Sequence, residues 1–369
     1  MNVRTLVWVW GGILLATALL AAAAASSAAA ASPKSRGVIA FVGDSAFNAN
    51  IYVVKAGGQG QGVRNLSRNK RSNDRSVAWS PDGRKILFLR AKLEGVGYSA
   101  ARDLYVMDAD GSHQRRLLPH KPGGFFSEEL IGSPTWSPDG RRIAFVSNRR
   151  KGLDFEIYLI NADGSGLRNL TKGRGGSDSL PAWSPDGRKI AFVGWRDLEM
   201  GLHVMNADGS HERQLIKAGP QVPSLAWSPD GRKVLFEQFD KNGPRSDLYV
   251  INANGGGLRN LTRNPAIEEY DPAWSPDGRK IAFARWPKAP ALRGIYLMKA
   301  DGSGLRRLTR SYDLNPAWSP DGRKIAFLRT SQAGYDEIYL MKADGSGLRR
   351  LTHMEVDKAE LAWQPMPQK

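Results

Sequence analysis

The chain contains no cysteine. Disulfides, thiolate metal sites and a cysteine nucleophile are therefore excluded. Export is not, because a large repeat core needs no disulfide staple. Three catalytic signatures are also missing: a Gly-x-Ser-x-Gly elbow, a His-Glu-x-x-His pair and a phosphate-cradling loop. The five histidines, His113, His120, His203, His211 and His353, occupy different units and positions. No piece of the repeated region carries an apolar pattern of helical period and length, which disfavours a helical solenoid. Basic residues do not interleave with aromatic ones as a base-stacking groove requires, so no nucleic-acid partner is expected.

Charge is scarce at the start. Arg4 is the only charged residue before Lys34, and Thr5 to Leu20 is an apolar run with Trp8, Trp10, Leu14, Leu15, Leu19 and Leu20. An Ala/Ser tract follows, Ala21 to Ser32. A short basic start, an apolar middle and small residues such as Ala29-Ala30-Ala31 fit a secretory signal peptide over residues 1–31, with 32–37 a short linker. The rival is an uncleaved membrane anchor, since the run approaches spanning length. No Cys follows it, which excludes lipoprotein processing. Cleavage implies a periplasmic or extracellular protein. Membrane contact is expected only through an uncleaved N-terminus.

What is present is a repeat. Ala182-Trp183-Ser184-Pro185-Asp186-Gly187-Arg188-Lys189-Ile190-Ala191-Phe192 has close copies around Trp79, Trp136, Trp227, Trp274 and Trp318, and a decayed one at Trp363. The mean period is about 47 residues, and seven of the eleven tryptophans are spent on it. Each unit has four short pieces rich in Val, Ile, Leu, Tyr and Phe, bounded by Gly, Pro, Asp and Ser: strands. Pro at the second turn position fixes φ, and the following Gly accepts positive φ, so Ser-Pro-Asp-Gly closes a hairpin between the Trp strand and the Ile-Ala-Phe strand. A second turn, as in Asp301-Gly302-Ser303-Gly304, joins the Tyr strand to the last strand. Four antiparallel strands in seven units predict an all-β chain: a seven-bladed β-propeller over residues 38–369. Only six intact Ser-Pro-Asp-Gly turns exist, at Asp82, Asp139, Asp186, Asp230, Asp277 and Asp321. The missing hairpin is expected across the termini, with Leu361 to Trp363 beside Val38 to Val42.

The motif Pro-Ala-Trp-Ser-Pro-Asp-Gly-Arg-Lys-Ile-Ala-Phe resembles the PD40, or TolB-type, propeller repeat from Val38 to Trp363. The resemblance implies a periplasmic or extracytoplasmic scaffold that binds partners. Two departures stand out: no α/β domain precedes the repeats, which begin soon after Ser32, and seven units are counted where the family has six blades. Similar repeats also precede the catalytic domain of prolyl-oligopeptidase-like enzymes.

The repeat tryptophans Trp79, Trp136, Trp183, Trp227, Trp274, Trp318 and Trp363 are expected to pack between blades with the indole N–H partnered. His203 replaces the repeated Tyr and reads as a core substitution. Both turn types fall on one end of the ring. That end is basic through Arg84, Lys85, Arg141, Arg142, Arg188, Lys189, Arg232, Lys233, Arg279, Lys280, Arg323 and Lys324, with Arg115, Arg116, Arg306, Arg307, Arg349 and Arg350 nearby. With a formal charge of +17, it suits solvation or an anionic envelope polymer or lipid headgroup. The other end carries varied loops, the longest Arg90 to Arg102 and Leu118 to Ser133, then Gln238 to Ser246 and Ala284 to Arg293. Acids cluster before its Trp strands: Glu128, Glu129, Asp178, Glu268, Glu269, Asp271, Asp313, Asp357 and Glu360. Lying near the channel mouth, they can remain ordinary solvated groups, receive a basic partner segment, or hold a hard cation such as Ca2+. No cofactor is otherwise expected. The leading expectation is an exported, non-catalytic scaffold for an envelope or secreted protein. The alternative is a hydrolase or lyase acting on an envelope polymer with carboxylates near the channel.

Overall fold

The repeated turn is held by its own side chains. In Ser275-Pro276-Asp277-Gly278, the Gly278 N–H donates to the Ser275 carbonyl at 2.8 Å and the Arg279 N–H to Asp277 Oδ1 at 3.1 Å. The Lys280 N–H donates to Ser275 Oγ at 2.9 Å, and the Ser275 hydroxyl donates to Asp277 Oδ1. Gly278 has φ of 68°, in the left-handed region where a Cβ is costly. The same backbone recurs at Gly83, Gly140, Gly187, Gly231 and Gly322.

This turn joins the Trp strand Ile267–Trp274 to a Phe strand, Lys280–Pro287. A Tyr strand, Gly294–Lys299, and a short outer strand, Arg306–Arg307, complete an antiparallel meander. The structure, a computed structural model, describes residues 37–366 apart from 46–47, 59–61, 95–96, 99–100, 121–128, 150–153, 174, 197–198, 218–221, 240–245, 265–266 and 288–291. The proposed signal peptide thus lies outside the described residues. Among these residues there are seven such sheets, one of them with an additional short strand, Gly97–Tyr98, and no helix long and apolar enough to cross a membrane. The architecture is the seven-bladed propeller that the repeat count predicts. The first blade closes across the termini: Asp357–Trp363 pairs antiparallel with Val38–Asp44, Ile39 opposite Trp363 and Ala40 opposite Ala362. This closing strand begins four residues earlier than the sequence suggested.

The Trp strands approach one another around the axis. Each repeat tryptophan is buried, and five indoles reach across a seam to the carbonyl just before the neighbouring Trp. Trp79 donates to Ala362 at 3.1 Å, Trp136 to Ala78 at 3.4 Å and Trp227 to Ala182 at 3.0 Å. Trp318 donates to Ala273 at 3.2 Å and Trp363 to Ala317 at 3.0 Å. Trp183 and Trp274 make no such bond; the Arg142 guanidinium lies 5.1 Å from the Trp183 ring. Inside each blade a fully buried Phe packs on the aromatic residue of the Tyr strand, as in Phe327 on Tyr339 at 5.9 Å. His203 takes the Tyr place, buried and 5.3 Å from Phe192, as the sequence suggested.

Strand order defines a turn end, with both kinds of repeated turn, and a connector end, where chain passes from Phe to Tyr strand and from blade to blade. The connectors differ from expectation in one respect. Strands invade the predicted loops: Lys85–Glu94 runs through Arg90, Lys280–Pro287 through Ala284, and Ile131–Trp136 takes in Ser133. Side-chain pairing across the extended strands explains the extra length.

Candidate functional site

At the start of the Trp strands, acids are buried and would cost several kcal/mol if left unpaired (roughly, for an ion removed from water). Each finds an arginine on the neighbouring Phe strand. Asp313 receives Arg329 Nε at 2.6 Å and Nη2 at 2.8 Å. Glu269 Oε1 receives Arg285 Nε at 3.0 Å and Nη2 at 2.7 Å. Asp178 receives Arg196 at 2.7 Å, and that arginine also bonds Glu212 at 2.9 Å. Asp74 makes the same pair with Arg90 at 2.7 and 2.8 Å. The guanidiniums lie against the blade aromatics; Arg285 is 4.9 Å from the Tyr296 ring and Arg329 4.8 Å from Tyr339. Glu129 accepts from the Ser147 hydroxyl at 2.6 Å and lies 3.4 Å from Arg149. Burial pushes the Glu269 carboxyl up to about 7, against the opposing pull of Arg285.

Other acids serve the seams. Three residues before the Trp, a bulge puts Ser76, Ser133, Leu180, Asp271, Asn315 and Glu360 at positive φ and leaves backbone N–H groups facing the next blade. Glu360 accepts from the Ser76 and Val77 N–H groups, the latter at 3.1 Å, and Asp271 accepts from the Asn315 N–H at 3.2 Å. Asp357 accepts from the Asp336 N–H at 3.2 Å. The nine acids therefore do not form one cluster: Glu129, Asp178, Glu269 and Asp313 are tied within blades, Asp357 and Glu360 across seams. Glu128 lies outside the described residues. Among the described residues, no group of three or more His, Cys, Asp or Glu is arranged to hold a metal ion.

Glu268 and Asp271 belong to a different setting. The Tyr270 hydroxyl donates to Glu268, and the Tyr270 ring meets the Trp286 ring edge-on at 5.7 Å. Trp286 in turn packs on Tyr312 at 4.4 Å, and the Arg293 guanidinium sits 5.9 Å from the Trp286 ring and 5.8 Å from Tyr312. All four are only partly buried. Trp286 Nε1 and Arg293 Nε have no acceptor among the described residues. Beside them, Glu237 is 2% exposed, accepts from the Ser224 hydroxyl at 3.3 Å, and has no partner for Oε1 among the described residues. Burial and then the Asp271 charge raise the Glu237 carboxyl well above its usual range. Burial also pushes Asp271 up to about 6. Blades five to seven thus place Trp, two Tyr, Arg and three carboxyls together at the connector end.

Sequence reasoning passed over Asp74, Glu237, Trp286, Arg293 and Tyr312. Two signals were there to read. Asp74, Glu269 and Asp313 each precede an arginine by sixteen residues. Glu237 stands directly after the blade Phe, where the other units have Val42, Leu89, Val146, Val193, Ala284 and Leu328.

Arg84, Arg141, Arg188, Arg232, Arg279 and Arg323 are exposed, as are Lys85 and Lys280, whereas Arg142, Lys189, Lys233 and Lys324 are partly buried. Arg115, Arg306 and Arg349 donate to turn carbonyls of the next blade, for example Arg115 to Asp163 at 3.1 Å. Arg116, Arg307 and Arg350 bond back along their own blades, to Asp103, the Thr309 carbonyl and Glu337.

Residues 269–368 match the family model described as the TolB beta propeller domain. The Tol-Pal system protein TolB of Thioalkalivibrio sulfidiphilus is 44% identical over 62 residues, 17% of this chain and 12% of that protein. The chain spans about an eighth of the length of the curated relatives it matches. Among solved structures, TolB from Acinetobacter baumannii aligns with a TM-score of 0.53 at 20% identity, over 89% of this chain and 83% of that one. An oligogalacturonate lyase in complex with manganese aligns with a TM-score of 0.58 at 16% identity, over 87% of each chain. These structural likenesses establish the fold alone.

Proposed function

For a chain whose repeats are homologous to those of TolB-type propellers, we propose an exported, non-catalytic scaffold that captures a protein of the cell envelope at its connector end. The observation that carries this is the partly exposed group Tyr270, Trp286, Tyr312 and Arg293. Trp, Tyr and Arg are the residue types that dominate binding hot spots. Glu268, only partly buried, offers a place for a basic side chain. Ca2+ has no part in this reading, because Asp178, Glu269 and Asp313 are neutralised by arginines. The test is a crosslinking pull-down of the full-length protein from its own cells, with mass spectrometry of the captured proteins. One envelope protein should be enriched, and a Trp286→Ala/Arg293→Ala variant should lose at least tenfold of it (about 1.4 kcal/mol or more, as for a hot-spot pair). Equal capture by the variant rejects the assignment.

A second reading rests on Glu237. A buried carboxyl whose pKa is raised, next to Asp271, forms an acid–base pair of the kind a propeller lyase or hydrolase needs. It predicts turnover in a panel of envelope polymers, abolished by Glu237→Gln. Absence of turnover across the panel rejects it.

A further inference from the structure

At the turn end the blades are in register, and one slot differs. The Ala109 N–H donates to the Arg84 carbonyl, and Ala162, Ala207, Ala253, Ala300 and Ala343 make the same bond to the carbonyls of Arg141, Arg188, Arg232, Arg279 and Arg323. In the first blade the Ala56 N–H makes this bond to Gly37. Gly37 therefore occupies the seventh place in a ring of six exposed arginines.

The same end carries apolar side chains. Leu167, Leu258, Leu305 and Leu348 are 39–48% exposed. Each follows the left-handed glycine of a turn and precedes an arginine, so all four stand at one repeat position in four blades. Singly exposed leucines are ordinary. Four at equivalent positions on one end, beside a ring of cations, are a patterned surface. Each Ser-Pro-Asp-Gly turn sets one Asp against two cations, and Asp277 is already engaged by its own turn; the second turns add the exposed Asp110, Asp163, Asp208, Asp301 and Asp344, each of which is engaged by the serine two residues on.

We propose that the turn end is a docking surface for an anionic phospholipid bilayer. The arginines meet lipid phosphates and the leucines enter the headgroup boundary. The connector end then faces away from the lipid. The inference stands on the turn end alone and does not depend on the partner site.

The absence of native cysteine makes the test clean. Full-length protein carrying Leu305→Cys at the turn end, or Ala333→Cys in the exposed connector between Lys324–Thr330 and Asp336–Lys342, takes one environment-sensitive fluorophore. Each is added to phosphatidylcholine vesicles with or without phosphatidylglycerol, containing a headgroup spin-labelled quencher lipid. The Leu305→Cys label should be quenched severalfold more than the Ala333→Cys label, and only with phosphatidylglycerol. Arg188→Gln/Arg232→Gln/Arg279→Gln should weaken this association about 100-fold, at about fivefold per cation, with Tm unchanged. Equal quenching at both labels, or quenching indifferent to phosphatidylglycerol, overturns the proposal. Protection of the Leu305→Cys label by soluble polygalacturonate with none from vesicles also overturns it, and assigns the end to a polymer.

Discussion

The two ends of this ring satisfy their polar groups over different distances. At the turn end, Ser275, Asp277 and the N–H groups of Gly278, Arg279 and Lys280 complete one another within six residues. Such a unit can be copied from blade to blade unchanged. At the connector end, Asp313 depends on Arg329 across a strand pair and Glu360 on Ser76 in the next blade. There a blade can vary, provided its partner varies with it. Blade five shows the consequence: its Trp strand is cut to Leu225–Trp227, and Glu237 rather than a Trp-strand acid faces the next blade's bulge. Locally closed chemistry yields a uniform end, and chemistry spread over the fold yields a distinctive one.

The largest effect expected is at the connector end. Arg285→Ala leaves Glu269 buried without its cation and should cost about 3–5 kcal/mol in denaturant unfolding. A loss under about 1 kcal/mol would mean that the pair is not what holds the extended strands. Next comes Glu237→Gln. The folded protein binds this proton more tightly than the unfolded chain, so its contribution is full below about pH 4.5 and fades as pH rises. Asp271, raised to about 6, adds a fall of the same sign between about pH 4 and 6. Glu237→Gln should therefore match the parent's Tm at pH 4 and exceed it at pH 8; a lower Tm at pH 8 contradicts the sign. The smallest effects belong to the turn end. Asp277→Ala should cost about 1 kcal/mol, and Arg279→Gln less than about 0.5 kcal/mol, both read from thermal unfolding. A large loss at Arg279 would erase the contrast between the ends.

The fold was legible because its signals are local. Pro and Gly in the turn, a Trp at fixed spacing and alternating strand residues give blade number and closure without knowledge of contacts. The fate of the acids was not legible from their own neighbourhoods. Asp178, Glu269 and Asp313 look like free loop carboxylates until the Phe strands are known to run past their apolar residues to Arg196, Arg285 and Arg329. The aromatic group was hidden for a related reason. Tyr270, Trp286 and Tyr312 come from three segments that only blade-to-blade packing brings together.

The most direct measurement uses a photo-crosslinking amino acid in full-length protein in its own cells, at Tyr312 on the connector end or at Arg188 on the turn end. A specific protein adduct from position 312, absent from position 188 and lost when Arg293→Ala is added, is the predicted result. A protein adduct from position 188 with none from position 312 would contradict the assignment of partner capture to the connector end.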